Sequence, residues 1–122
     1  MVNPYENYIK TELDSLPVAG IIAKGYERII LELKGAIENI ENRNIKGKIK
    51  NISKAIDILT TLRVGLDFEK GGEIAQNLED IYSFCINELL LANLKNDKQR
   101  LEDVINILNT LKSGWEELAH KT

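Results

Sequence analysis

Four stretches of the chain repeat apolar residues at intervals of three and four, and this pattern constrains the fold more than any other feature. Such intervals place side chains on one face of an α-helix. The stretches run from Val18 to about Ile40, from Ile45 to Leu66, from Glu73 to about Leu94, and from about Lys98 to His120. No alternation of apolar and polar residues competes with them, so the sequence predicts four helices and no sheet.

The predicted connections are short, and short connections make neighbouring helices run antiparallel. We therefore expect an all-α fold, an antiparallel up-down-up-down four-helix bundle over residues 17–120, within a single domain of 122 residues. Gly71 and Gly72 are predicted to close the second helix and open the third. Residues 1–16 are expected to form a short, mobile amino-terminal cap. Its apolar residues at roughly helical spacing are Tyr5, Tyr8, Ile9 and Leu13.

Composition and charge exclude several classes of protein. A net charge of -3 and a pI near 5.2 disfavour nucleic-acid binding, which needs a broad basic face. No stretch approaches the ~18 apolar residues required for membrane insertion. The one cysteine, Cys85, cannot form an internal disulfide, so the expected location is the cytoplasm.

The residues that usually carry chemistry are sparse. The only histidine is His120, and no carboxylate interrupts the apolar stripes, so a metal site inside the bundle is disfavoured. Cys85 lies on an apolar stripe without a histidine to activate it, which favours a buried structural thiol. The stretch GKIK lacks the spacing of a phosphate-binding loop. We predict no catalytic, cofactor-binding or metal-binding residues, and therefore a protein that is not an enzyme.

One basic concentration runs from Arg43 to Lys54 at the start of the second helix. We interpret it as a solvated face, with Ile45, Ile49 and Ile52 facing inward and the lysines on the other side. Contact with an acidic partner is the alternative.

The third helix has more apolar residues than one face can hold. Ile74, Leu78, Ile81, Cys85, Leu89 and Ala92 form its predicted core stripe. Phe84 and Leu91 fall on roughly the opposite side, with Leu90 and Leu94 between. Either some of this apolar surface packs under the amino-terminal segment or is scattered surface, or the residues form a strip that receives a partner helix. Both accounts hold if the cap covers the strip until a partner displaces it.

The same region resembles a known family. LDFEKGGEIAQNLEDIY, the later LANLKND and the final LKSGWEEL are similar to the flagellin-export chaperone family, usually called FliS, over roughly residues 45 to 118. The resemblance implies a cytosolic, non-catalytic helical bundle with an amino-terminal cap. It also implies binding of the carboxy-terminal segment of flagellin, protection of that segment from polymerisation, and delivery to the flagellar export gate. Whether a flagellar regulatory protein shares the surface is left open. The alternative is a structural or regulatory helical bundle with a different partner.

Overall fold

The computed structural model describes residues 18–120, which form four α-helices joined by short turns. They are α1 (Val18–Glu41), α2 (Ile45–Val64), α3 (Phe68–Lys95) and α4 (Lys98–His120). Helices that follow one another in the chain pack together, and α1 also packs against α4, which closes the ring. The predicted four-helix bundle is confirmed.

The core takes one face from each helix. Two tyrosines, Tyr26 and Tyr82, and the thiol of Cys85 are buried among aliphatic side chains. The large aliphatic residues that are fully covered are Ile29, Leu33, Ile52, Leu59, Leu89, Leu101, Val104 and Leu108. Periodicity located most of this core, but the predicted stripe of the third helix missed Ala75 and Tyr82, both of which are buried.

Four residues that periodicity placed inward are exposed instead. They are Ile45, Ile49, Ile74 and Leu118. Leu118 ends the apolar stripe that spacing predicts for the fourth helix, which is Leu101, Val104, Leu108, Leu111, Trp115 and Leu118. All four lie near the ends of their helices. The position of a residue in its helix determines the direction in which its side chain points. Burial also requires that a neighbouring helix is present at the same level along the bundle axis. Near the ends of the bundle that cover is incomplete at Ile74 and Leu118, whereas at the start of α2 the inward position between Ile45 and Ile49 is taken by the buried Lys48.

The turn between α2 and α3 lies earlier than predicted. α2 ends at Val64 and α3 begins at Phe68, because the side chain of Asp67 accepts a hydrogen bond from the Lys70 amide and so caps the new helix. Gly71 and Gly72 therefore lie inside α3 rather than between helices. Gly72 has φ 50° and ψ -122°, which interrupts the helical geometry and kinks α3 at this point. The expectation of special backbone angles was right, whereas the expected position of the turn was wrong.

Candidate partner-binding surface

The four predicted surface residues of α3 are not sealed inside the bundle. Phe84 and Leu90 are about half exposed, at 51% and 52%, and Leu94 is 79% exposed. Leu91 is partly buried. The outer side of α3 therefore carries uncovered apolar surface among the residues that the structure describes, as a binding surface for another chain requires.

Contacts with the neighbouring helices divide these residues into two rows. Glu88 of α3 forms an ion pair with Arg100 of α4, at 2.9 Å. Phe84 lies four positions before Glu88 and Leu91 three positions after it, so both lie on the side of α3 that borders α4. We call Phe84 and Leu91 the α4-side row.

The second row borders α2. Ser83 accepts a hydrogen bond from Arg63 of α2 at 3.5 Å. Leu90 and Leu94 follow Ser83 by seven and eleven positions, and these intervals return to the same face of a helix. We call Leu90 and Leu94 the α2-side row. The sequence predicted one strip. In the structure its residues form two rows on the outer surface of α3, one toward α4 and the other toward α2.

An apolar depression of about 300 Å³ lies between the start of α3 and the end of α4. It is lined by Ile74, Leu78, Thr110, Leu111, Gly114, Trp115 and Leu118. Periodicity assigned most of these residues to the core, so sequence reasoning missed the depression. The signal that was available is the position of Ile74 and Leu118 close to predicted helix ends.

A second depression, of about 240 Å³, opens at the same end of the bundle. Its lining includes Val18, Ile22, Leu62, Leu66 and Tyr82. Val18 is also the first residue that the structure describes. The predicted cap residues Tyr5, Tyr8, Ile9 and Leu13 lie outside the described residues.

A hydrogen-bond chain joins three aromatic side chains beside the two depressions. The indole Nε1 of Trp115 donates to the hydroxyl oxygen of Tyr26 at 3.0 Å, and the hydroxyls of Tyr26 and Tyr82 are 2.5 Å apart. Burial raises the pKa of both tyrosines, so both hydroxyls stay neutral and can share protons in this chain. Trp115 lines both depressions. The chain ties α1, α3 and α4 together beneath the apolar surface.

The basic stretch differs from its predicted arrangement. Lys48 is buried, and its Nζ donates to the carbonyl oxygen of Asn93 at 2.8 Å and to Oδ1 of Asn96 at 2.6 Å. Ile45 and Ile49, expected inside, are 46% and 44% exposed. The predicted division into inward isoleucines and outward lysines was therefore wrong at these three positions. A buried amine needs hydrogen-bond acceptors, and the end of α3 supplies them.

Three features of residues 18–120 bear on catalysis and membrane insertion. Burial raises the pKa of the Cys85 thiol to about 11, so it remains protonated at neutral pH and is a poor nucleophile. No cluster of three histidine, cysteine or acidic residues with metal-binding geometry occurs in this part of the chain. Within the same range, no helix has both the length and the hydropathy needed to cross a bilayer.

The fold and its exposed apolar rows define a helical-bundle protein suited to binding another chain. Comparison with known proteins specifies the class further, since the family described as "Flagellar protein FliS" matches residues 1–122. A flagellar secretion chaperone FliS of Vibrio cholerae is 37% identical over 118 residues, which cover 91% of this chain and 85% of the relative. The flagellar secretion chaperone FliSB of Pseudomonas aeruginosa is 42% identical over 96 residues, covering 79% and 73%. The flagellar secretion chaperone FliS of Salmonella typhimurium is 42% identical over 83 residues, covering 67% and 62%.

The chain belongs to the FliS family of flagellar proteins. The family resemblance carried by LDFEKGGEIAQNLEDIY and LKSGWEEL is thereby confirmed. Because the relatives are chaperones and not enzymes, the prediction of a non-enzymatic protein is confirmed as well.

Proposed function

We propose that this protein is a cytoplasmic flagellar secretion chaperone that binds the carboxy-terminal segment of flagellin. In this proposal it prevents premature polymerisation of flagellin and delivers it to the flagellar export apparatus. Membership of the FliS family, with relatives named flagellar secretion chaperones, is the observation that carries the proposal. The exposed residues Phe84, Leu90 and Leu94, with the partly buried Leu91, supply a surface on which the segment can lie.

The binding energy of such a surface comes from apolar burial. Covering a few hundred Å² of apolar surface contributes several kcal/mol at about 25 cal/mol per Å². Ordering an unfolded segment costs about 2–5 kcal/mol or more. A short contact would therefore leave little net affinity. We propose that the flagellin segment contacts both rows of α3 and continues toward the apolar depression lined by Ile74 and Leu118.

The bundle holds this surface in place before the partner arrives. Arg100 pairs with Glu88 on one side of α3, and Arg63 bonds to Ser83 on the other. Lys48 holds the last turn of α3 through Asn93 and Asn96. Because α3 is fixed on both sides, the partner is the only component that must be ordered on binding, which limits the entropic cost.

We propose further that residues 5 to 13 compete with flagellin for the apolar surface. Their pattern of Tyr5, Tyr8, Ile9 and Leu13 is typical of a short amphipathic segment. Under this proposal, deletion of residues 1–13 tightens flagellin binding, since flagellin no longer has to displace residues 5 to 13 from the apolar surface. Equal or weaker affinity of the shortened chain would reject this competition.

The function is tested by titrating the purified chain with a peptide from a flagellin carboxy terminus in a calorimeter. Phe84→Asp is expected to weaken binding by at least about tenfold, because a charge replaces a central apolar contact. Leu31→Asp is the matched control, since Leu31 is 60% exposed on α1 and lies outside both rows. Its affinity should stay within about twofold of the original, and both variants should melt within a few degrees of it.

Two outcomes contradict the proposal at different levels. Absence of binding by the unmodified chain would reject the chaperone function in favour of a helical bundle with another partner. Binding that is weakened equally by Phe84→Asp and Leu31→Asp would retain the function but move the site away from α3.

A further inference from the structure

The start of α2 carries an excess of positive charge, although the chain as a whole is acidic. Between residues 42 and 56 five lysine or arginine residues occur and no acidic one, although the whole chain has 16 basic against 19 acidic residues. Arg43, Lys46, Lys50 and Lys54 are exposed. Their side chains form no hydrogen bond or ion pair with any residue that the structure describes. This charge is therefore unused within the described bundle.

Apolar side chains are uncovered at the same place. Ile45 and Ile49 lie four positions apart on α2 and are nearly half exposed. A purely solvated helix face does not require two exposed isoleucines between its lysines. Their exposure removes the basis for interpreting the basic stretch as the outer side of an inward-facing apolar stripe.

Ile45 and Ile49 of α2 lie beside the α2-side row of α3. The bonds from Lys48 to Asn93 and Asn96 hold the first turns of α2 against the last turn of α3. Leu90 and Leu94, four positions apart, border α2 at that same end of the helix pair. Ile45 and Ile49 of α2 and Leu90 and Leu94 of α3 are two apolar pairs on adjacent antiparallel helices. Together they form a strip that fits the apolar face of a third helix.

We propose that the flagellin segment lying on this strip is an amphipathic helix with an acidic flank, which faces Lys46 and Lys50. The inference rests on the proposed function and specifies the chemistry of its ligand. The lysines sit at the rim of the strip, where charge complementarity selects partners and accelerates their association. An apolar strip alone would accept any amphipathic helix, whereas the lysine rim rejects helices with basic flanks.

The test compares two double charge reversals with the same change in net charge. Lys46→Glu with Lys50→Glu alters the rim. Lys24→Glu with Lys34→Glu alters exposed positions on α1, which borders α2 and α4. Each purified full-length variant is titrated with the flagellin carboxy-terminal peptide. At low salt we expect about a tenfold loss of affinity for the rim variant and less than about twofold for the control.

Salt and peptide chemistry identify the cause of any loss. The difference between the two double variants should largely vanish at about 1 M salt, where the Debye length is only about 3 Å. A peptide with its acidic residues changed to amides should bind the unmodified chain about as weakly as the native peptide binds the rim variant. The neutral pair Lys46→Gln with Lys50→Gln should give an intermediate loss. Because all these positions are exposed, melting curves should stay within a few degrees.

The outcomes separate this inference from the proposed function. If the unmodified chain fails to bind the native peptide, the proposed function is overturned and this inference with it. If the unmodified chain binds but the two double variants bind equally well, only the inference is overturned, and the lysines are a solvated face. Equal binding of the native and amide peptides would overturn it in the same way.

Discussion

The two ends of the bundle are built differently. One end contains the α1–α2 and α3–α4 turns, and we call it the locked end. The opposite end contains Val18, the α2–α3 turn and the last turns of α4, and we call it the open end. Polar side chains join the helices at the locked end, whereas apolar depressions separate them at the open end.

Hydrogen bonds at the locked end run from helix to helix. Nδ2 of Asn39 donates to Oδ1 of Asn51 at 2.7 Å, and Nδ2 of Asn51 donates to the buried carboxylate of Glu32 at 3.0 Å. Gly47 leaves room for these hydrogen bonds, because a Cβ at this position would lie 2.7 Å from Nδ2 of Asn39. Buried polar groups that are satisfied in this way fix one arrangement of the helices.

The open end has few such bonds at its surface, and one of its helices departs from helical geometry there. α3 is kinked at Gly72, close to the two depressions. Ile74 is 68% exposed there. The difference teaches that this bundle combines an end where polar bonds set the helix spacing with an end where the helices leave apolar depressions between them.

The largest expected effect comes from removing the amine that secures the locked end. Lys48→Met leaves the carbonyl of Asn93 and Oδ1 of Asn96 without their buried donor, so we expect the free energy of unfolding to fall by about 2–3 kcal/mol. Chemical denaturation measures this change. Lys50→Met, on the exposed side of the same helix, is the control and should alter stability by less than about 0.5 kcal/mol. Equal effects of the two substitutions would show that Lys48 does not secure this end.

A smaller effect is expected at the kink of the open end. Gly72→Ala should lower the free energy of unfolding by about 1–3 kcal/mol, because side chains rarely tolerate φ 50° with ψ -122°. Gly114→Ala is the contrasting change, since Gly114 is helical and a Cβ there meets no atom within 4 Å. It should raise stability by about 0.5–1 kcal/mol. Thermal unfolding of both variants checks the pair, and a stabilised Gly72→Ala would mean that α3 can straighten without cost.

The smallest expected effect concerns the proton held by the core thiol. Burial raises the pKa of Cys85 from 9.0 to about 11, so the folded chain keeps a proton that the unfolded chain releases between these values. Stability is therefore complete below pH 9 and falls as the pH rises toward 11, by about 1 kcal/mol at pH 10. The raised pKa values of Tyr26 and Tyr82 act in the same direction above pH 10. Denaturation curves of the original chain and of Cys85→Ala between pH 8 and about 10.5 measure the thiol contribution, and parallel pH profiles would contradict it.

Helix periodicity predicted most of the secondary structure. Three of the four helices begin and end within about two residues of their predicted limits, because apolar spacing and polar breaks are local properties of the chain. The error at Gly71 and Gly72 arose because two glycines are a strong turn signal in a sequence. The competing signal was Asp67, whose side chain caps α3 one turn earlier.

The binding surface was predicted less completely. The outward direction of Phe84, Leu90 and Leu94 follows from register, and their exposure agrees with it. The exposure of Ile74 could not be predicted from register, because it depends on how far the neighbouring helices extend. Nor could periodicity show that Lys48 points toward Asn93, since the two residues are 45 positions apart in the chain.

What the sequence determined by itself is the number and order of the helices within residues 18–120, most of the faces they bury and the family to which the chain belongs. These properties depend on residues close together in the chain or on motifs read directly from it. The tertiary structure alone decided which of the inward-pointing apolar residues are covered and which lysine is buried. Burial is a property of all four helices at once, because each side chain is covered only where a second helix lies at the same height.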